Sequence, residues 1–334
     1  MLSLGGWSVT STAPAIRNEW THLAAAYDPH LKTMTLYVNG DVQPTAQRRS
    51  AWKSRGAVQI GRAYARSGHT AGWAGELADI AVFDRVLVPR EVSVLSTLRP
   101  IRLGYWPLDD VSDDRSPAYD EDGQELLLEG DAHLYAPDVD ADPFAEPPLV
   151  GGGHLVLDGV DDRARTDAPV AVTDGSFTVA ARVRLPSPTC GDRDQAVLSQ
   201  AGVAASGFVI RCGSTNRWEL VLSHSDNNDP QTTLVFDGEQ LPSADQSGQH
   251  LAVVYDAFRN EVRLYVNGIV TATGTTTYTA GWRANGPLQV GRALHNGTFG
   301  QYLGGVVDEV RVYTGVADDT TIQRMAGRSP DPYV

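Results

Sequence analysis

The sequence predicts an all-β fold, a two-sheet sandwich of many short strands with only two short helices. Three observations predict it. Apolar residues alternate with polar ones over short stretches, and Gly, Pro, Asn and Asp separate those stretches. A long segment also recurs once, far longer than a solenoid unit.

The recurrence orders the chain. His22-Leu-Ala-Ala-Ala-Tyr-Asp28 and Leu36-Tyr-Val-Asn-Gly40 return as His250-Leu-Ala-Val-Val-Tyr-Asp256 and Leu264-Tyr-Val-Asn-Gly268, at an offset of 228 residues. The offset becomes 230 where Trp52 matches Trp282 and Gly56–Ala63 matches Gly286–Ala293. It holds through Gly75–Phe83 and Gly305–Tyr313.

Each element has a local cause. Met34, Leu36 and Val38 in the first copy, and Val262, Leu264 and Val266 in the second, recur with period two, so each strand buries one face. Asn39-Gly40 and Asn267-Gly268 follow directly and supply the positive φ angles of a two-residue hairpin turn. Further strands fit Leu155–Leu157, Phe177–Leu185, Phe208–Arg211, Trp218–Ser223 and Thr233–Phe236. Short helices are expected at Pro89–Leu98 and Asp318–Gly327.

The formal net charge is −14, concentrated between Asp109 and Glu146, where 14 acidic residues face one basic residue, Arg115. Elsewhere the chain is nearly neutral, with no basic surface able to neutralise phosphates, so nucleic acid is not an expected partner. No apolar run is long enough to cross a membrane as a helix, so membrane insertion is not expected. Lys32 and Lys53 are the only lysines beside 25 arginines, a bias read as the codon usage of a GC-rich genome.

Six motifs in a fixed order carry a resemblance. They are Tyr105-Trp-Pro-Leu-Asp-Asp110, Leu155-Val-Leu-Asp-Gly-Val-Asp-Asp162, Asp174–Arg184, His250–Asp256, Leu264–Gly268 and Gly305–Tyr313. Together they resemble the laminin-G-like jelly-roll family, of concanavalin A-like lectin architecture, in its bacterial secreted form. The resemblance implies a jelly-roll β-sandwich complete over 101–328, a tail at 329–334, and the C-terminal half of a preceding module over 1–100. Half a sandwich exposes its inner sheet faces. Completion by an upstream part of the same protein, or by another chain, is therefore expected, with a re-folded, self-sufficient half-module as the alternative.

Cys190 and Cys212 lie just after the Phe177–Leu185 strand and at the end of the Phe208–Arg211 strand. If those strands pair as a hairpin, the sulfurs meet at one end. Such a disulfide points to a secreted or cell-surface location, and two free buried thiols are the alternative.

Val306, Asp308, Val310 and Val312 would share the apolar face of one strand, with Glu309 and Arg311 pointing outward. A buried carboxylate must be paired, hydrogen-bonded or metal-bound. The resemblance implies a calcium ion, for which Asp158, Asp161 and Asp308 are the candidate ligands, while Asp308 satisfied by backbone N–H groups or an Arg is the alternative. Ala78 stands at the matching position of the first copy, so no such site is expected there.

Binding is expected at the loop Ala293–Tyr302, where His295, Asn296, Phe299 and Tyr302 offer an aromatic face with amide and imidazole groups suited to a sugar ring. Trp218 and Asn227-Asn228-Asp229 would add to it. Trp52, Trp282, Tyr27 and Tyr255 are shared by both copies and read as scaffold. No carboxylate-rich glucanase strand, Gly-x-Ser-x-Gly or His-Glu-x-x-His motif occurs, and His22 and His250 read as structural. The expected function is therefore non-catalytic carbohydrate recognition, with a structural or protein-interaction module as the alternative.

Overall fold

In the computed structural model of the chain, the apolar alternation becomes strands joined by tight turns. The described residues are 2–4, 7–15, 21–47, 56–65, 68–70, 72–96, 100–110, 114–120, 123–137, 146–187, 189–239, 248–276 and 282–327. Trp52, Leu98, parts of the acidic run, and residue 328 with the expected 329–334 tail lie outside them. The chain divides into two units, Met1–Ser96 and Thr97–Val334.

The first unit contains β1 (Leu2–Leu4), β2 (Trp7–Val9), β3 (Leu23–Asp28), β4 (Thr33–Val38), β5 (Asp41–Gln47), β6 (Ala63–Ala65), β7 (Gly68–Thr70) and α1 (Pro89–Ser96). Strands β3, β4 and β5 form an antiparallel sheet. Its alternation sends Met34 and Leu36 to one face, packed with Val9, and Tyr37 to the other, packed with Leu87 and with Val92 of α1.

The second unit begins with β8 (Ile101–Trp106), β9 (Arg115–Ser116), β10 (Leu126–Glu129), β11 (His133–Tyr135), β12 (His154–Asp158), β13 (Arg163–Arg165) and β14 (Phe177–Arg184). It continues through β15 (Gln195–Ala201), β16 (Ser206–Gly213), β17 (Arg217–Ser223), β18 (Thr232–Phe236), β19 (Gln249–Asp256), β20 (Glu261–Val266) and β21 (Ile269–Thr275). The last elements are β22 (Leu288–Val290), β23 (Ala293–His295), β24 (Thr298–Gly300), β25 (Gly304–Thr314) and α2 (Asp319–Met325).

Two sheets face each other. One runs β18-β17-β16-β15-β22-β13-β10-β9 and the other β11-β12-β25-β14-β19-β20-β21, with β8 also pairing with β25. All pairs are antiparallel, as in a jelly-roll sandwich. Strand β14 lies between β19 and β25, and all eight of its residues are buried. Phe177, Val179, Ala181 and Val183 enter the inter-sheet core, where the Phe177 ring meets Phe208 at 5.2 Å and Tyr255 at 5.6 Å. Ala180, on the opposite face, joins Ala252, Val254, Tyr265 and Tyr313 beneath Ile322 and Met325 of α2. Asp318 caps that helix by accepting the Thr321 N–H at 2.7 Å.

The two Asn-Gly hairpins are built alike. Asn39 and Asn267 have φ of 50° and 51°, and their side chains accept the backbone N–H of His22 at 2.8 Å and His250 at 2.9 Å. Each following glycine also seats a helix: a Cβ on Gly40 would lie 2.9 Å from Ser93 Cα, and one on Gly268 3.1 Å from Gln323 Cα. Only glycine combines the positive φ with that approach.

Two expectations are corrected. The first concerns the alternation of β25, which breaks at Asp308-Glu309, where Glu309 takes φ of 53° and the register with β14 slips between Ala180 and Arg182. This bulge puts Val307, rather than Val306, in the core beside Val310 and Val312. Glu309 and Arg311 do not point into solvent. Arg311 is ion-paired to Glu309 at 2.7 Å and lies over its cross-strand neighbour Tyr105, whose hydroxyl donates to Glu309 at 2.9 Å.

The second concerns the cysteines. Cys190 and Cys212 form a disulfide with Cα atoms 5.8 Å apart. The expected hairpin is absent among the described residues, because β14 and β16 belong to opposite sheets. The bond instead ties the connection between the sheets to the end of β16. Replacing Cys190 with Ser should lower stability by about 3 kcal/mol. Denaturant melts should show that loss as a lower midpoint, and dithiothreitol should reproduce it in the unsubstituted chain.

Candidate functional site

The β23–β24 hairpin stands at the rim of the sandwich. Its turn, Asn296-Gly297, repeats the positive-φ chemistry of the two larger hairpins, with φ of 51° and 68°. Its base is fixed to the sheet: Leu294 N–H donates to Ser206 Oγ at 2.9 Å, and Ala196 N–H to the Gln301 carbonyl at 2.7 Å. His295 and Asn296 are exposed, whereas Phe299 and Tyr302 are half-buried.

Buried Arg292 lies against one of the two aromatic residues: its guanidinium is 3.9 Å from the Phe299 ring centre, and its Nε donates to Gln289 at 2.7 Å. Burial pulls its pKa below the usual arginine value. One face of Phe299 is thus occupied by a cation.

A second loop meets the hairpin tip. Asp226 accepts the N–H groups of Val203, Ala204 and Ala205 at 2.8, 2.7 and 3.1 Å. Burial would raise its pKa, but the three donors hold it below the ordinary value. Gly297 N–H then donates to the Ala204 carbonyl at 2.8 Å, and Asn228 Oδ1 lies 3.8 Å from a Cβ built on Gly297. His295, Asn296 and Asn228 are therefore neighbours on one rim. Trp218 is not among them. It is buried, with Nε1 donating to Gln249 at 2.8 Å, because its β17 position faces the core. Arg292 and Asp226 escape sequence reading, since neither sits in the loop they organise.

The acidic turn assembles differently from the expected ligand set. Oxygens of Asp158, Asp161 and Asp162 come within 4.8 Å of one another, and buried Asp308 is not in the group. Asp158 pairs with Gly304 across the β12–β25 ladder, four residues along β25 from Asp308. At about 3.3 Å per residue this separates them by roughly 13 Å. Asp308 accepts the N–H of Val150 at 2.9 Å and of Glu309 at 2.8 Å, and burial pushes its pKa well up. In the turn, Asp158 Oδ1 accepts from Val160, Asp161 and Asp162, which lowers the Asp158 pKa. Both Asp162 oxygens accept backbone N–H groups, from Asp131 and Asp158.

Three acidic residues of the run are paired with arginines of other elements: Asp120 with Arg102, Glu129 with Arg163 and Arg165, and Glu146 with Arg184.

The sequence matches the concanavalin A-like lectin/glucanases superfamily, in its laminin G type, over residues 3–93 and 158–323. The chain belongs to that family. No curated protein matches it. Similar solved structures include the binding domain of Paraclostridial Mosquitocidal Protein 1, at 9% identity and a TM-score of 0.48, over 67% of this chain and 51% of that one. A botulinum neurotoxin type C structure, described as dependent on two ganglioside molecules for cell entry, has 13% identity and a TM-score of 0.47, over 68% and 50%. Ruminococcus gnavus IT-sialidase CBM40 bound to α2,6 sialyllactose has 16% identity and a TM-score of 0.38, over 47% and 85%. The chain spans about half the length of the toxin binding domains.

In this concanavalin A-like unit the histidine shared by both copies is deeply placed. His250 is buried, and among the described residues neither ring nitrogen has a hydrogen-bond partner. Burial, then the charges of Arg182 and Arg311, lower its pKa to about 3. A histidine held neutral when folded and free to protonate near 6.5 when unfolded adds stability above that value, and loses it as pH falls toward 3. The melting free energy should therefore fall by about 1.4 kcal/mol per pH unit through this group between 6.5 and 3. A His250→Gln variant, if folded, should show a shallower slope over that window in urea melts.

Proposed function

We propose that this chain is a non-catalytic binding module that recognises carbohydrate at the β23–β24 rim. One observation carries the reading: a rigidly anchored hairpin presents imidazole and amide groups beside an aromatic ring, one face of which is already held by Arg292. Sugar rings combine an apolar face with a ring of hydroxyls, so a site for them needs an aromatic surface and several hydrogen-bonding groups together. His295, Asn296, Asn228 and Phe299 supply both. Membership of a superfamily of lectins and glucanases fits either binding or hydrolysis. Binding is favoured by the state of the acidic groups. Asp308, Glu309, Asp158 and Asp162 are engaged by backbone N–H groups, Tyr105 or Arg311, rather than paired across an open cleft.

Calcium is a secondary part of this reading. The Asp158-Asp161-Asp162 turn offers few uncommitted oxygens against the six to eight that calcium takes, so any affinity would be weak, in the range of about 10⁻⁴–10⁻³ M seen in extracellular modules. The disulfide favours a secreted or surface location. Among the described residues no helix is long and apolar enough to cross a membrane.

A glycan array with calcium and with EDTA tests the proposal. Specific glycan binding is expected, weakened roughly tenfold or more by Phe299→Ala or Asn296→Ala with the melting temperature kept. Silence with a folded sample, or binding untouched by both substitutions, would overturn it. An Asp161→Asn variant should abolish any calcium-induced rise in melting temperature, and a rise that survives would remove this turn as its cause.

A further inference from the structure

We infer that the first unit is an acceptor for a donated β-strand with the pattern of β14. The second unit supplies the template, because the aligned residues of the two units have opposite environments. Val58 is 76% exposed where Leu288 is 0%, Val82 is 80% exposed where Val312 is 0%, and Leu23 is 60% exposed where Leu251 is 0%. Leu77 and Ile80 are likewise exposed, and Val307 and Val310 buried. These are the positions expected to be core in a sandwich, laid open as one set.

The template also shows what covers such a face. In the second unit β14 runs between β19 and β25. Among the described residues β3, the counterpart of β19, pairs only with β4, and 72–88, which include the counterpart of β25, form no strand. In the β14 register Val179 lies opposite Val312, Val183 opposite Val307, Ala181 opposite Leu251 and Phe177 opposite Tyr255. Transferred to the first unit, the same four side chains lie opposite Val82, Leu77, Leu23 and Tyr27. A strand that restores both ladders would pair with the edge of β3 that no described strand occupies and shield Leu23, Leu77 and Val82, whereas Val58, whose counterpart Leu288 lies in β22 of the opposite sheet, would stay outside it.

Charge fixes the strand further. Arg182 of β14 donates to the carbonyls of Ala326 at 2.7 Å and Gly327 at 3.1 Å, beyond the end of α2. Ser96 occupies the Ala326 position in the first unit, at the end of α1, whose last turn carries no basic residue. The carbonyl of Ser96 at that end favours a cation. The occupant is therefore a strand alternating large apolar residues inward, with an arginine on its outer face, supplied by a partner polypeptide. It has the chemistry of the N-terminal half of a laminin-G-like module.

The test titrates the full 334-residue chain against a fluorescein-labelled peptide with the sequence of residues 174–187. Saturable binding is expected, weakened roughly tenfold or more by Val82→Asp in the chain, by Val179→Ser with Val183→Ser in the peptide, or by Arg182→Glu in the peptide. Hydrogen exchange should slow on binding in 23–28 and 75–83, and not in the second unit. No saturable binding of the soluble peptide up to about 1 mM, a free energy near −4 kcal/mol, would overturn the proposal. So would protection confined to the second unit. A chain that sediments as a dimer with 23–28 already protected would name a second copy as the occupant, and the proposal would fall.

Discussion

The burial of β14 on both faces is the constraint on which the sandwich depends. One side chain set, led by Phe177, fills the space between the sheets, while Ala180 on the reverse side admits α2 against Tyr265 and Tyr313. The strand also bonds on both edges, to β19 and β25. A central strand of this kind can be neither shortened nor shifted by one residue, because a slip would exchange its two faces. In the first unit the counterparts of β19 and β25 are present in sequence, but the second does not form a strand and its apolar residues stay in solvent. The same sequence motif is thus a packed strand in one context and an open segment in the other.

Charge inside the second unit is arranged around that strand. Arg182 reaches the end of α2, Arg184 takes Glu146, and Arg311 lies between Glu309 and the Tyr105 ring. Buried charges are costly unless paired and hydrogen-bonded, so these partners are conditions of the fold. The rim is built by the opposite economy. Asp226 and Arg292 lie just behind the loops they hold, leaving His295 and Asn296 in solvent.

Local chemistry was readable in the sequence, and long-range pairing was not. Period-two alternation marked the strands from Phe177 and Trp218 to within a residue or so of their observed ends, and Asn-Gly marked both large hairpins. Asp318 capped α2 where a helix was expected to begin. Which strands become neighbours has no local signature, so β14 and β16 were paired in expectation although they face each other across the core. The bulge at Glu309 is equally silent, since one extra residue in a strand looks like any other until its partner is known. Trp218 read as a sugar platform because an aromatic beside a polar loop looks the same whether it faces in or out. Of the metal candidates, Asp158 and Asp161 came together because they are close in sequence, and Asp308 was separated by the strand register.

Native-state hydrogen exchange on the full chain, compared between Leu23–Asp28 and Gln249–Asp256, bears most directly on the role of the central strand. If a β14-type strand is what closes such a sandwich, amides of Gln249–Asp256 will exchange only through global opening of the second unit, and those of Leu23–Asp28 will exchange far faster. Equal protection of the two strands in a monomeric chain would contradict it, because the first unit would then be closed without any such strand.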